Sequence, residues 1–190
     1  MVIKIDQSCA LLIVDMQNDF MTTGKLPVPD SDEIVPALNK YINMFVSNKL
    51  PIFATRDWHP PNHISFKQRG GPWPMHCVKY TRGAEFYTEL RIPRNTKAIS
   101  KGYEHDKEAR SSFEGTELTK RLEQNSTSCL LVGGIATEFC VKNTVLDALD
   151  RGFDVILLED AVKEMSNGDK AIKEMKNSGA KIIKICNVIP

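Results

Sequence analysis

The chain has 190 residues, of which 42% are hydrophobic and 26% charged, with a formal net charge of +1. That composition fits a single globular domain over residues 1–190 with a core of ordinary size. The balanced charge, with no run of Lys or Arg, argues against nucleic acid as a partner. The lack of any long apolar run or signal-peptide pattern argues against a membrane and leads to the expectation of a cytoplasmic location.

Taken in chain order, residues 10–14 form the first short apolar run. A helical stripe follows at Ile34, Leu38, Ile42, Phe45 and Val46, with Ser31 placed as N-cap and Pro36 near the first turn. Apolar runs return at 51–55 and 98–100, a helix fits 116–123, and another run covers 129–132. A third helix is expected from about Thr137, turning Val141, Val145, Ala148 and Leu149 inward and ending before Gly152. The pattern closes with a run at 155–158, a helix at 168–176 and a run at 181–185. Most runs are apolar on consecutive residues, as in strands covered on both faces. Strand–helix alternation of this kind predicts an α/β domain with right-handed crossovers, and ligands in such sheets bind beyond the carboxyl ends of the strands.

Those ends carry an unusual set of side chains. Asp15 ends the first run, Asp57 follows the second, Lys101 follows the third, and Cys140 lies shortly after the Gly133-Gly134 pair that ends the fourth. The five cysteines are scattered and contain no C-x-x-C pair, so they form neither a disulfide framework nor a zinc ribbon. Cys9, Cys129 and Cys186 sit in or beside apolar runs, as buried thiols do. Cys140, about one turn into a helix, has backbone N–H groups and the helix dipole nearby to favour a thiolate, and the glycine pair permits a tight turn that aims N–H groups at an oxyanion. Singly, Asp15 reads as a cap or surface ion pair, Lys101 as a solvated lysine, and Cys140 as packing. Together they form one device: the acid takes the thiol proton and the lysine holds the acid ionised and in place.

Three of the four histidines fall in one region with an aspartate, at Asp57, His59, His63 and His76. Mixed nitrogen and oxygen ligands of this type suit a divalent metal, with zinc first and iron or manganese as alternatives. His105 reads as a solvated loop residue. Phe20 and Trp73 are loop aromatics that either pack the core or wall a flat pocket for a planar ring.

At this point the sequence resembles the nicotinamidases, also called pyrazinamidases, of the isochorismatase-like cysteine hydrolases. The match rests on V14-D-M-Q-N-D-F20, R56-D-W-H-P60, W73-P-M-H-C77, S100-K-G102, S111-S-F-E-G115 and G133-G-I-A-T-E-F-C-V141, in family order. The resemblance implies a three-layer α/β/α, Rossmann-like fold around a mostly parallel six-stranded sheet. It implies a catalytic triad of Asp15, Lys101 and Cys140 and a metal held by Asp57, His59, His63 and His76. It further implies a cis Ile135–Ala136 peptide, an oxyanion hole from the N–H groups of Ala136 and Cys140, and substrate packing by Phe20, Trp73 and Ile135.

One departure stands out. Arg110 occupies a position where family members often carry tyrosine, and the stretch from Lys101 to Phe113 is longer than usual; Arg110 is expected to face solvent. The activity expected is hydrolysis of nicotinamide to nicotinate and ammonia through a Cys140 thioester, in NAD salvage. The rivals are an amidase acting on another small amide or ureido compound, and a catalytically silent small-molecule or metal-binding protein on the same scaffold. The expected partner is the small-molecule substrate, with homo-oligomerisation left open.

Overall fold

The structure is a computed structural model that describes residues 3–189. In chain order its elements are β1 (Ile3–Lys4), β2 (Cys9–Val14), α1 (Val35–Ser47), β3 (Ile52–Asp57), β4 (Ala98–Lys101), α2 (Leu118–Gln124), β5 (Cys129–Ile135), α3 (Lys142–Asp150), β6 (Asp154–Lys163), α4 (Gly168–Asn177), β7 (Lys181–Ile183) and β8 (Val188–Ile189). Six strands form one sheet in the order β4-β3-β2-β5-β6-β7, and every neighbouring pair in it is parallel. The sheet is therefore wholly parallel, where a mostly parallel one was expected. The short β1 and β8 pair separately and escape sequence patterning because each has only two residues.

The consecutive apolar residues of β2 divide between two cores. Cys9, Leu11 and Ile13 face Leu38, Tyr41, Ile42 and Phe45 of α1. Ala10, Leu12 and Val14 face Leu118 and Leu122 of α2, Val145 and Ala148 of α3, and Met175 of α4. A strand covered on both faces has no need of polar alternation, and the result is the three-layer α/β/α arrangement.

Two details of the helices differ from expectation. Ser31 does not cap α1: residues Ser31–Ile34 form a 3-10 turn, the helix begins at Val35 with Pro36 in its first turn, and the Ser31 hydroxyl is buried without a partner. The helix expected from Thr137 opens as a five-residue π-helical turn, Thr137–Val141, before α3. The wider turn follows from the Ala136 carbonyl, which accepts the N–H groups of both Phe139 (3.0 Å) and Val141 (3.2 Å).

Because all six strands of the sheet run the same way, Asp15, Asp57, Lys101 and Ala136, each at or just beyond a strand's carboxyl end, share one rim.

Candidate active site

Asp15 leaves β2 with φ of 51°, a left-handed turn that aims its carboxylate across the rim. It is fully buried, as is Lys101. The Lys101 Nζ lies 2.9 Å from Asp15 Oδ2 and closer still to Asp57 Oδ1. It also reaches the Ala109 carbonyl at 3.2 Å and Cys140 Sγ at 3.4 Å. Thr55 donates its hydroxyl to Asp15 Oδ1 at 2.8 Å. The other oxygen, Oδ2, has the lysine charge beside it but no aligned hydrogen-bond donor, so it is the one open to a thiol proton.

Burial, opposed by Lys101 and reinforced by Asp57, raises the Asp15 carboxyl above the usual aspartate value. Burial also opposes ionisation of Asp57, but Lys101 and His59 outweigh it and hold that carboxyl well below the usual range. For Lys101 the balance again runs against burial: Asp15 and Asp57 keep the ammonium charged. The Cys140 thiol goes the other way from the sequence expectation. Burial, with Asp15 and Asp57 nearby, pushes it well above its ordinary value against the pull of Lys101, so the resting nucleophile is a thiol beside a base.

The approach of β5 to β2 depends on Gly134. Its φ is +126°, and a Cβ there would lie 2.0 Å from the Val14 carbonyl oxygen. The Ile135–Ala136 peptide is cis, as the resemblance implied. Cys140 is half-buried and, with Ala136, lines a cleft.

Asp57, His59 and His76 are buried and present ligand atoms within 4.8 Å of one another. Each is braced from behind. His59 Nδ1 donates to the Gly102 carbonyl at 2.8 Å and His76 Nδ1 to that of Pro74 at 2.8 Å, leaving the lone pair of each Nε2 free to ligate. The imidazole of His59 lies so close to Gly102 (φ +63°) that a Cβ would fall 2.6 Å from its Cε1. His59 N–H donates to the Cys77 carbonyl at 3.0 Å, which joins the two histidine-bearing loops. One carboxylate oxygen with two imidazole nitrogens, their remaining polar atoms already engaged, fits a divalent cation.

His63 stands next to this cluster but outside it. Its ring stacks on His59 at 4.2 Å, while Nδ1 meets Ser65 Oγ at 2.7 Å and Nε2 meets the Lys107 carbonyl at 3.0 Å. Phe20 lies 5.5 Å from the His76 ring, and Trp73 meets Phe139 edge-on at 5.4 Å; all of these face the cleft. Ile135 is buried in the core at 1% exposure, and Ala136 forms the wall at that point. Arg110 is exposed, as expected, yet it also lines the cleft mouth with Glu108.

Several supporting residues were not singled out from the sequence. The Gln17 amide donates to the Asp57 and Ala84 carbonyls (2.8 and 3.0 Å) and accepts the Asp57 N–H (2.7 Å). Asp19 accepts the Cys77 N–H at 2.7 Å. Phe66, fully buried, lies edge-on beneath the rings of His59, His63 and His76. Glu138 accepts the N–H groups of Met165 (3.1 Å) and Ser166 (2.7 Å), holding Met165 at the cleft wall. A signal existed for the polar ones, since Gln17 and Asp19 follow closely on a fully apolar strand and need partners once buried.

A profile of the isochorismatase domain matches residues 9–185. The chain belongs to the isochorismatase family. Within the family it is 34% identical to the nicotinamidase of Acinetobacter baylyi, over 98% of this chain and 97% of that protein. Among solved structures it resembles the pyrazinamidase of Pyrococcus horikoshii in complex with zinc, with a TM-score of 0.91 and 52% identity over 94% of this chain and 99% of the other. It also resembles PnC1 from L. infantum in complex with nicotinate, with a TM-score of 0.90 and 32% identity over 100% and 99% of the two chains. The isochorismatase-family fold expected from the sequence is thus the one present.

Proposed function

We propose that the chain is a nicotinamidase, hydrolysing nicotinamide to nicotinate and ammonia through a thioester on Cys140, in NAD salvage. The observation that carries this reading is the convergence on Lys101 Nζ of Asp15 Oδ2 at 2.9 Å and Cys140 Sγ at 3.4 Å. Cys140 lines a cleft whose wall also includes Asp57, His59 and His76, with Asp15 and Lys101 buried behind it. The names of its relatives in the isochorismatase family support the same reading.

In this mechanism Asp15 accepts the Cys140 proton as sulfur attacks the carboxamide carbon. The N–H groups of Ala136 and Cys140 receive the oxyanion. Asp15 returns the proton to the leaving nitrogen, and ammonia departs. Asp15 then takes a proton from water as it attacks the thioester, and nicotinate is released with the thiol restored. Lys101 stays charged throughout and fixes the acid and the sulfur about itself.

Phe20 and Trp73 pack the flat ring, with Ile135 supporting the wall from behind Ala136. Asp57, His59 and His76 would hold a divalent cation, zinc by preference, with His63 beside them. When bound, such a cation supplies a Lewis-acid contact for the ring nitrogen and so orients the substrate. A cytoplasmic location belongs to the same proposal. It agrees with five free cysteines, and no helix among the described residues is long and apolar enough to cross a membrane.

The test is ammonia release from nicotinamide by the wild-type protein, with and without chelator, beside Cys140→Ala. Release by wild type and none by the variant is expected. Near-normal release by Cys140→Ala would overturn the thioester route, and release only from ureido compounds would move the chain to another amidase class.

A further inference from the structure

Behind the catalytic aspartate runs a chain of buried hydroxyls. The Ser112 N–H donates to Thr144 Oγ1 at 2.9 Å, Thr144 Oγ1 donates to Ser112 Oγ at 2.9 Å, and Ser112 Oγ donates to Thr55 Oγ1 at 3.3 Å. Thr55 Oγ1 then donates to Asp15 Oδ1 at 2.8 Å. Thr55, Ser112, Thr144 and Asp15 are all fully buried.

The direction of this chain is fixed by its ends. A backbone N–H can only donate and an ionised carboxylate can only accept, while each hydroxyl has a single hydrogen. Every hydroxyl between them therefore accepts once and passes its own hydrogen on toward Asp15. Hydrogen bonds aligned in one sense polarise one another, and in a buried, low-dielectric setting the last of them falls on the carboxylate with added strength. The chain also spans three separate pieces of the fold: β3, the loop carrying Ser112, and α3, where Thr144 lies four residues beyond Cys140. It links the segment that carries the nucleophile to the base that serves it.

We infer that Thr55, Ser112 and Thr144 form a directional hydroxyl relay that positions Asp15, turning Oδ1 inward and presenting Oδ2 to the Cys140 thiol. The relay builds on the nicotinamidase reading and adds three positioning residues to it. None of them lines the cleft, and their effect falls on proton transfer.

The test compares Thr55→Val, Thr55→Ser and Ser112→Ala by steady-state ammonia release from nicotinamide, with melting temperature and zinc content measured on each. Valine keeps the shape and strand preference of threonine while removing the hydroxyl. Thr55→Val should lower kcat roughly ten- to hundredfold with KM nearly unchanged, the range for one hydrogen bond to a charged group. Thr55→Ser should recover most of that loss. Ser112→Ala, one link further out and away from the metal ligands, should give a smaller drop in kcat of the same kind. A kcat within about threefold of wild type in Thr55→Val, an unchanged kcat in Ser112→Ala, a loss carried mainly by KM, or no recovery by serine would each overturn the relay.

A second measurement separates this inference from the assignment of substrate. The rate of Cys140 alkylation by iodoacetamide, followed by peptide mass spectrometry, needs the same loss of the thiol proton but no cleavage of an amide bond. Wild type inactive on nicotinamide would sink the substrate assignment alone. The relay would then stand if alkylation slows in Thr55→Val and recovers in Thr55→Ser, and fall if all three proteins react alike.

Discussion

Lys101 and Asp57 face each other as register partners on the adjacent parallel strands β4 and β3, and their side chains pair within the buried rim. The same ammonium touches Asp15 and Cys140. One cation thus joins the carboxylate of the metal cluster to the acid and sulfur of the reaction, and it is the shared counter-charge of two buried acids.

Removing that cation should therefore damage both stability and catalysis. Lys101→Met would leave Asp15 and Asp57 buried without their counter-charge, and breaking a buried pair in this way typically costs about 3–5 kcal/mol. Denaturant unfolding of the metal-free protein should show a loss of that order. Activity should fall by about 10²–10⁴-fold, as when proton transfer fails. Unchanged unfolding together with normal turnover would contradict the role given to Lys101.

The histidines should separate by metal retention. His76→Ala removes one of three clustered donors and should abolish stoichiometric zinc. His63→Ala removes a ring that braces His59 and is itself engaged by Ser65 and Lys107. It should weaken zinc by about 10–100-fold, as loss of a supporting residue does. Zinc titration monitored by a chelating dye distinguishes the two; equal loss in both variants would make His63 a full ligand.

The pH profile of kcat/KM should have its acid limb above the ordinary aspartate value of 3.8. The sign follows from the chemistry. Asp15 must be ionised to accept the thiol proton, and burial raises its pKa, so activity is lost at a higher pH on acidification than for an exposed aspartate. The Cys140 thiol is pushed well above 9.0, so no titration of this group should break the profile near neutrality. An acid limb at or below 3.8 would exclude Asp15 as the base.

Glu138 offers a prediction confined to binding. Its carboxylate gathers the N–H groups of Met165 and Ser166 and so holds one wall of the cleft. Glu138→Ala should raise KM about tenfold, within the range for one hydrogen bond to a charged group, with kcat nearly preserved. A fall in kcat with unchanged KM would instead connect Glu138 to the adjacent π-helical turn.

Much of this site is legible in the sequence because parallel strands bring their carboxyl ends together. Asp15, Asp57, Lys101 and Cys140 each follow an apolar run, and a wholly parallel sheet turns that repeated position into proximity. The fold class is readable for the same reason, since strands covered on both faces show unbroken apolar runs. The bracing is much less visible. Thr55 sits within β3 as an ordinary strand threonine, and only the third dimension puts it against Asp15. Phe66 resembles any core aromatic until three imidazoles are seen resting on it. The Cys140 thiol is also misjudged from sequence, because helix position is local whereas burial and two neighbouring carboxylates are not.

The loop after β4 binds the Lys101 ammonium through the main-chain oxygen of Ala109, while the flanking residues Glu108 and Arg110 line the cleft. A carbonyl is common to every amino acid, so residues 108 and 110 can be exchanged without disturbing that grip on the lysine. Substrate range can accordingly drift, or be redesigned, at these two cleft-lining positions while the reaction chemistry is inherited intact.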